Sequence, residues 1–119
     1  MKIIIASFGN FRFSDFAINL YYERTGILID EKDSKLRTDP TMIEIVEELD
    51  DDASHEYSVL SVEEIDDDYE NYWHISNHKN HENIEIDFIS IIIDKIKFLF
   101  DSQNKKQKLI NKINQIKIK

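Results

Sequence analysis

The sequence predicts an α/β protein with a small mixed sheet, two covering helices and a long C-terminal helix or helix pair. Two observations predict this class. In the first two thirds of the chain, short runs rich in β-branched residues alternate with amphipathic segments. The last third contains a long stretch that is apolar around most of a helical circumference. The chain is 119 residues long, which leaves room for one domain.

The first elements are predicted to be a strand, a helix and a second strand. Residues 2–7 form a short β-branched run, which is typical of a buried strand. A turn at Gly9 leads to Ser14, a good N-cap for a helix that ends near Gly26. Residues 27–29 are predicted to form the second strand. This order favours a parallel crossover unit.

A second amphipathic helix is predicted over residues 40–53. Asp39 is a good N-cap, and Pro40 suits the first helical turn because its missing N–H needs no partner there. Apolar residues then recur at helical spacing from Met42 to Ala53. The remaining elements of this part are predicted to be two strands and a polar loop, at 58–65, 72–76 and 77–83.

The last third is predicted to be helical, with a change of character near residue 101. Residues 88–100, from Phe88 to Phe100, are apolar except for Lys95 and a narrow polar stripe. A helix of this kind must be buried on more than one side, either in the core or in an oligomer. We therefore expect a homo-oligomer formed through residues 88–100. The domain prediction is a single α/β domain over 1–101 and a lysine-rich helical tail over 102–119.

Charge is distributed unevenly along the chain. Residues 1–94 hold 7 lysines and arginines against 23 acidic residues, a net charge of −16, whereas residues 95–119 carry +7. The acidic body should repel nucleic acid and anionic membranes, and its acidic runs indicate solvated surface or a patch for a basic partner. The tail could attract nucleic acid, an anionic membrane or the acidic body of another copy.

The sequence also indicates the cellular compartment in which the protein is expected. Absence of cysteine excludes disulfides and thiolate chemistry and suits a reducing compartment. The most apolar stretch, residues 84–100, is interrupted by charged residues, so no membrane span is expected. The apolar start at residues 3–6 is too short for a secretory signal. These features predict a soluble cytoplasmic protein.

The turn between the first strand and helix is the candidate ligand site. A strand that leads through Gly9 and Asn10 into a helix beginning at Ser14 would present backbone N–H groups and a positive helix end to phosphate or carboxylate. Arg12 and Arg37 could add charge-assisted contacts. One glycine matches neither the Walker nor the dinucleotide spacing. An ordinary turn with a helix cap is the alternative interpretation.

No catalytic residue, metal site or cofactor is predicted. His74, His78 and His81 stand near Glu82, and imidazole with carboxylate suits several transition metals. Neighbouring asparagines favour a solvated loop instead, in which this spacing guarantees no common face. Four histidines and many acids also satisfy a serine–histidine–acid pattern by chance. A binding protein is therefore expected rather than an enzyme, and an enzyme that acts on a phosphate-bearing ligand is the remaining alternative.

Several stretches resemble an uncharacterised family of small proteins from bacteriophages and large DNA viruses. The first, at 7–14, is a strand followed by a glycine–phenylalanine turn and a serine, in which Asn10 stands where the family has a second glycine. The second is an Arg-x-Asp-Pro helix start at 37–40, with a Glu-Glu-Leu helix end at 45–49. The third, at 62–73, is a Val-Glu strand followed by acidic residues and a tryptophan. The resemblance covers about residues 1–76. It implies a viral or virus-derived accessory protein, in the host cell or virion, without an activity that can be transferred.

Two functions are therefore expected. The first is a non-enzymatic viral accessory protein that acts by macromolecular interaction, through acidic surfaces and the helical tail. The alternative is a binder of a nucleotide or another phosphate-bearing small ligand at the first strand-to-helix loop.

Overall fold

The computed structural model describes the backbone of residues 1–117 and the side chains of residues 1–108. The chain forms two compact units, Met1–Ile86 (unit 1) and Asp87–Lys119 (unit 2). Small antiparallel sheets, two helices in unit 1 and a long C-terminal helix confirm the predicted α/β class. The division that we predicted after residue 101 stays a prediction.

Unit 1 contains four strands and two α-helices among the described residues. In chain order they are β1 (Lys2–Phe8), α1 (Asp15–Thr25), α2 (Pro40–Leu49), β2 (Val59–Glu64), β3 (Trp73–His78) and β4 (His81–Ile86). Three short 3-10 turns lie between them, at Ser34–Thr38, Asp50–Ala53 and Asp67–Tyr69.

The four strands form two antiparallel pairs. β1 pairs with β2, so that Lys2 lies opposite Glu64 and Phe8 lies opposite Val59, with an irregularity between Ala6 and Phe8. β3 and β4 form a hairpin with His78 opposite His81. Its two-residue turn, Lys79 and Asn80, has φ angles of 52° and 61°, as a type I′ turn requires.

The core of unit 1 lies between β1 and the two helices. Four consecutive residues of β1, at positions 3–6, are buried, as expected for a strand covered on both faces. Phe13, Met42 and Ile45 are completely buried, and the Phe13 ring meets Phe11 edge to face at 5.0 Å. The apolar stripe of α2 therefore supplies the core, as its spacing predicted.

The helix boundaries follow local signals. The side chain of Ser14 accepts a hydrogen bond from the N–H of Ala17, and that of Asp39 accepts one from Met42. Gly26 has a φ of 73°, which is the left-handed C-cap predicted for it. α2 ends at Leu49 and not at residue 53, because the backbone of Asp50 turns to a positive φ of 52°.

Two predictions were wrong. Residues 27–29 form no strand: Ile27 and Leu28 are 55% and 78% exposed, and β1 pairs with β2 instead, so no parallel crossover forms. Three apolar residues bury too little surface to hold a strand without a backbone partner. Residues 77–83 are not a polar loop, because β3 and β4 occupy all but their two-residue turn. The alternation of polar and apolar residues along β4 indicates a strand, although the composition of β4 is polar.

Unit 2 consists of one long helix, α3 (Phe88–Lys117), rather than a helix pair. The carboxylate of Asp87 accepts the N–H of Ser90 at 3.1 Å and caps the first turn. Residues 109–119, which carry part of the predicted lysine-rich tail, lie outside the side chains that the structure describes. No helix within the described residues is both long and apolar enough to cross a membrane.

Candidate functional site

The backbone N–H groups of the predicted ligand loop are largely used within the chain. Gly9 has a φ of 73° and donates its N–H to the carbonyl of Asn80 at 2.8 Å. The N–H of Ser14 is donated to the carbonyl of Ala53 at 2.9 Å. The hydroxyl of Ser14 donates to the carbonyl of Asp52 and also caps α1. This loop therefore binds other parts of unit 1 with the groups that were expected to face a ligand.

Arg37 is held in a buried ion pair, against the Phe11 ring of that loop. Its Nη1 and Nη2 donate to Oε1 and Oε2 of Glu82, both at 2.8 Å. The two side chains are only 12% and 9% exposed. Nη1 also donates to the carbonyl of Ile4 at 3.0 Å, and the guanidinium stacks on the Phe11 ring at 3.9 Å from its centroid.

This Arg37–Glu82 clamp bridges β1, β4 and the 3-10 turn before α2. Glu82 Oε1 accepts the N–H of Ala6 at 2.7 Å, while Arg37 binds the Ile4 carbonyl on the same strand. The two charged groups thus hydrogen-bond to the Ala6 N–H and the Ile4 carbonyl, which a further strand could otherwise pair with. Burial raises the pKa of Glu82, but the hydrogen bonds from Arg37 and Ala6 and the charge of Arg37 outweigh it, and the pKa lies below its ordinary value.

Arg12 and Asn10 are brought together in a shallow hollow of unit 1. The hollow has a volume of about 210 Å³ and is lined by Asn10, Arg12, His55, Glu56, Tyr57 and Ser58. Arg12 Nη2 donates to Oε1 of Glu31 at 2.6 Å, a half-exposed pair whose hydrogen bond raises the pKa of Arg12 and lowers that of Glu31. Within the described residues the buried Arg12 Nε has no hydrogen-bond partner.

The predicted site is therefore divided. Asn10 and Arg12 share the hollow, Gly9 and Ser14 serve the fold, and Arg37 belongs to the clamp. Sequence reasoning missed the other residues of the hollow, which follow α2 by several residues, and it missed the acidic partners of both arginines. The turn at Tyr57, with a φ of 66° and 83% exposure, could not be foreseen because tyrosine rarely adopts that conformation.

The histidines lie on the exposed hairpin. His74 Nε2 is 3.0 Å from Oε2 of Glu85, which lies opposite it on β4. His81 Nδ1 contacts the carbonyl of Ser7. Glu82 is held in the clamp, on the other face of β4 from His81. Across the part of the chain whose side chains are described, no three histidine or acidic side chains converge as metal ligands.

The surface of unit 1 is strongly acidic. Its 86 residues hold 7 lysines and arginines against 21 acids, a net charge of −14. Several of these cations are already paired with an acid: Lys2 with Glu47 at 2.8 Å, and Arg24 with Glu48 at 2.6 Å. An open groove of about 620 Å³ beside α2 is also lined by glutamates, and includes Lys2. The remaining acids give unit 1 a negative field.

The exposed apolar surface of α3 is the other candidate site. Eight of its large apolar side chains are between 45% and 74% exposed: Phe88, Ile89, Ile92, Ile93, Ile96, Phe98, Leu99 and Phe100. Seven of them fall on one face of the helix over about 20 Å of its length, whereas Phe98 lies on the opposite side, beside the polar stripe. Contiguous apolar surface of this kind marks interaction sites on proteins.

Comparisons with family models, with curated proteins and with solved structures find no match to this chain.

Proposed function

We propose that this chain is a non-enzymatic interaction protein that associates through the apolar surface of α3. The observation that carries the proposal is the exposure of eight large apolar side chains between Phe88 and Phe100. Leaving so much apolar surface in water is costly, since burial returns roughly 25 cal/mol for each Å². A partner that covers this surface recovers that free energy.

The size of this surface fits a protein interface. Phenylalanine side chains bury roughly 150–250 Å² each, so three of them at 56%, 62% and 74% exposure offer on the order of 400 Å². Five isoleucine and leucine side chains at 45–72% exposure offer a comparable area. A stable interface needs about 800 Å² from each partner. Together the eight side chains carry about this area, most of it on the one face that a homo-oligomer would cover.

The acidic surface of unit 1 supplies a second means of recognition. A net charge of −14 attracts basic partners and repels nucleic acid and anionic lipid. We propose that the protein is a viral or virus-derived accessory protein that works in the cytoplasm of a host cell. Supporting this origin is the family resemblance, whose blocks fall at the turn after β1, at the start and end of α2, and from the second half of β2 to the first residue of β3.

Self-association is tested by light scattering of the full chain over a dilution series. We expect a mass above the 14.2 kDa of one chain at micromolar concentration, and a fall toward 14.2 kDa as the protein is diluted. Because association buries the apolar surface of α3, the heat capacity should fall on association, which gives a negative ΔCp of binding. A constant mass of 14.2 kDa throughout the series would contradict the proposal.

A second candidate function is binding of a phosphate-bearing small ligand in the hollow beside Arg12. The Arg12 guanidinium at this hollow favours it, because guanidinium N–H groups donate charge-assisted hydrogen bonds to anions. His55 and the Ser58 hydroxyl lie in the same hollow. Glu31 and Glu56 oppose it, since both bring negative charge to the site.

Calorimetric titration with pyrophosphate tests this second function. Affinity should fall in Arg12→Ala and be retained in Arg24→Ala, a matched control in which the deleted arginine is also paired with a surface glutamate. Loss of a charge-assisted contact should weaken affinity about tenfold or more. Absence of binding heat in the wild-type chain, or equal affinity in both variants, excludes the hollow as a phosphate site.

A further inference from the structure

We propose that α3 pairs with α3 of a second copy in antiparallel orientation, with the two apolar halves overlapping around Asp94. This inference rests on the proposed self-association and adds the partner, the register and the direction of the contact.

The register follows from the spacing of apolar residues. Ile89, Ile92, Ile96 and Leu99 are spaced by three, four and three residues, which places them in one seam of a helix pair. In an antiparallel pair centred on residue 94, Ile89 of one copy faces Leu99 of the other. Likewise Ile92 faces Ile96. All four layers of the contact are therefore apolar, and side chains that are 55–72% exposed in one copy become covered.

A parallel pair would also bury this seam, so apolar contact does not decide the direction. Charge does. Unit 1, with a net charge of −14, is covalently joined to the N-terminal end of α3, and residues 102–119 carry +6 at the other end. A parallel pair would place two such acidic units at the same end and two lysine-rich segments at the other. Like charges would then oppose each other at both ends.

The antiparallel pair places opposite charges together. With the centre at residue 94, the helix beyond residue 100 extends past the start of the partner's helix, where the acidic unit of that copy is attached. The 17 helical residues from 101 to 117 span about 25 Å, and charges are screened beyond about 8 Å at physiological salt. The lysines at 105, 106 and 108 thus lie toward the end of the pair at which the acidic unit of the second copy is attached, whereas the two acidic units are attached at opposite ends.

An anionic membrane fits this helix less well than a second copy. The polar stripe of α3 carries Asp94 and Asp101 against Lys97, and unit 1 adds its negative charge. Helices that lie on anionic lipid surfaces carry lysine and arginine on that face instead.

Spin-label distances test the orientation in the full chain, which has no native cysteine to interfere. Single labels are placed at exposed positions in two variants, Lys97→Cys near the centre and Asn104→Cys ten residues from it. In the antiparallel pair, two labels at position 104 are separated by about 30 Å along the axis, and two at position 97 by about 9 Å. In a parallel pair both separations along the axis are close to zero.

The salt dependence of the association tests the orientation of the pair independently. Raising the salt concentration from 50 to 500 mM should weaken the antiparallel pair about fivefold or more, because it screens attraction, and should tighten a parallel pair, because it screens repulsion.

Short distances at both labels, or tightening by salt, would overturn the antiparallel orientation while leaving self-association intact. Absence of any dipolar signal would contradict self-association itself. Binding to phosphatidylserine vesicles in place of a second copy would overturn the choice of partner.

Discussion

Replacing Arg37 by alanine is expected to lower the free energy of unfolding by about 3–5 kcal/mol, because it leaves the buried carboxylate of Glu82 without its counter-ion. Two charge-assisted hydrogen bonds to Glu82 and one hydrogen bond to the Ile4 carbonyl are lost together. The stacking on Phe11 is lost as well. Unfolding in urea, followed by the fluorescence of the single tryptophan, measures the change.

Arg12→Ala is the matched control for this prediction. Arg12 also binds a glutamate through Nη2, at 2.6 Å, but its side chain is 36% exposed and that of Glu31 is 32% exposed. Exposed pairs contribute about 1 kcal/mol or less, so this variant should stay close to the wild type. Equal losses in the two variants would show that burial does not set the strength of the Arg37–Glu82 clamp.

Replacing Gly9 by alanine is expected to cost about 3 kcal/mol or more, since two unfavourable effects add together. The backbone of Gly9 is left-handed, with a φ of 73°. A Cβ there would collide with the carbonyl oxygen of Tyr57 and would lie 3.1 Å from the Cα of Ser58. Both are backbone atoms, so the contact is relieved only if one of the two chain segments moves.

Gly26→Ala separates the two effects in the Gly9 prediction. Gly26 has the same φ of 73°, but a Cβ there meets nothing within 4 Å. Only the backbone conformation is penalised, and the expected loss is about 1 kcal/mol. Thermal unfolding of both variants gives the comparison. A loss for Gly9→Ala no larger than that for Gly26→Ala would show that the loop moves freely away from Tyr57.

The features that sequence predicts best are those with a local cause. Ser14 and Asp39 cap helices because a short polar side chain can reach N–H groups two or three residues ahead. Gly26 ends α1 because it adopts a left-handed backbone without strain. The apolar stripe of α2 defines its buried face by periodicity, and the unbroken β-branched run of β1 indicates a strand that is buried on both faces.

The candidate sites depend on contacts between distant residues, which local patterns do not encode. Arg37 and Glu82 are 45 residues apart, and the sequence alone offers no reason to pair this arginine with that acid. Glu82 lies in the segment 77–83 that the sequence predicts to be a loop, so sequence reasoning weighs it only beside the histidines. Arg37 was consequently assigned to a ligand that the structure replaces with an internal carboxylate. The apolar surface of α3, by contrast, was predicted from composition and helical spacing.

The role of that α3 surface is tested most directly by sedimentation velocity of the full chain carrying Ile92→Asp together with Ile96→Asp. These residues are 55% and 60% exposed, so the substitutions do not disturb a buried core. Lys97→Asp, which makes the same change of −2 in net charge on the polar stripe, is the control. We expect the double variant to sediment as a 14.2 kDa monomer at concentrations where the wild type and Lys97→Asp associate. Association of the double variant with wild-type affinity would contradict the assignment of α3 as the interaction surface.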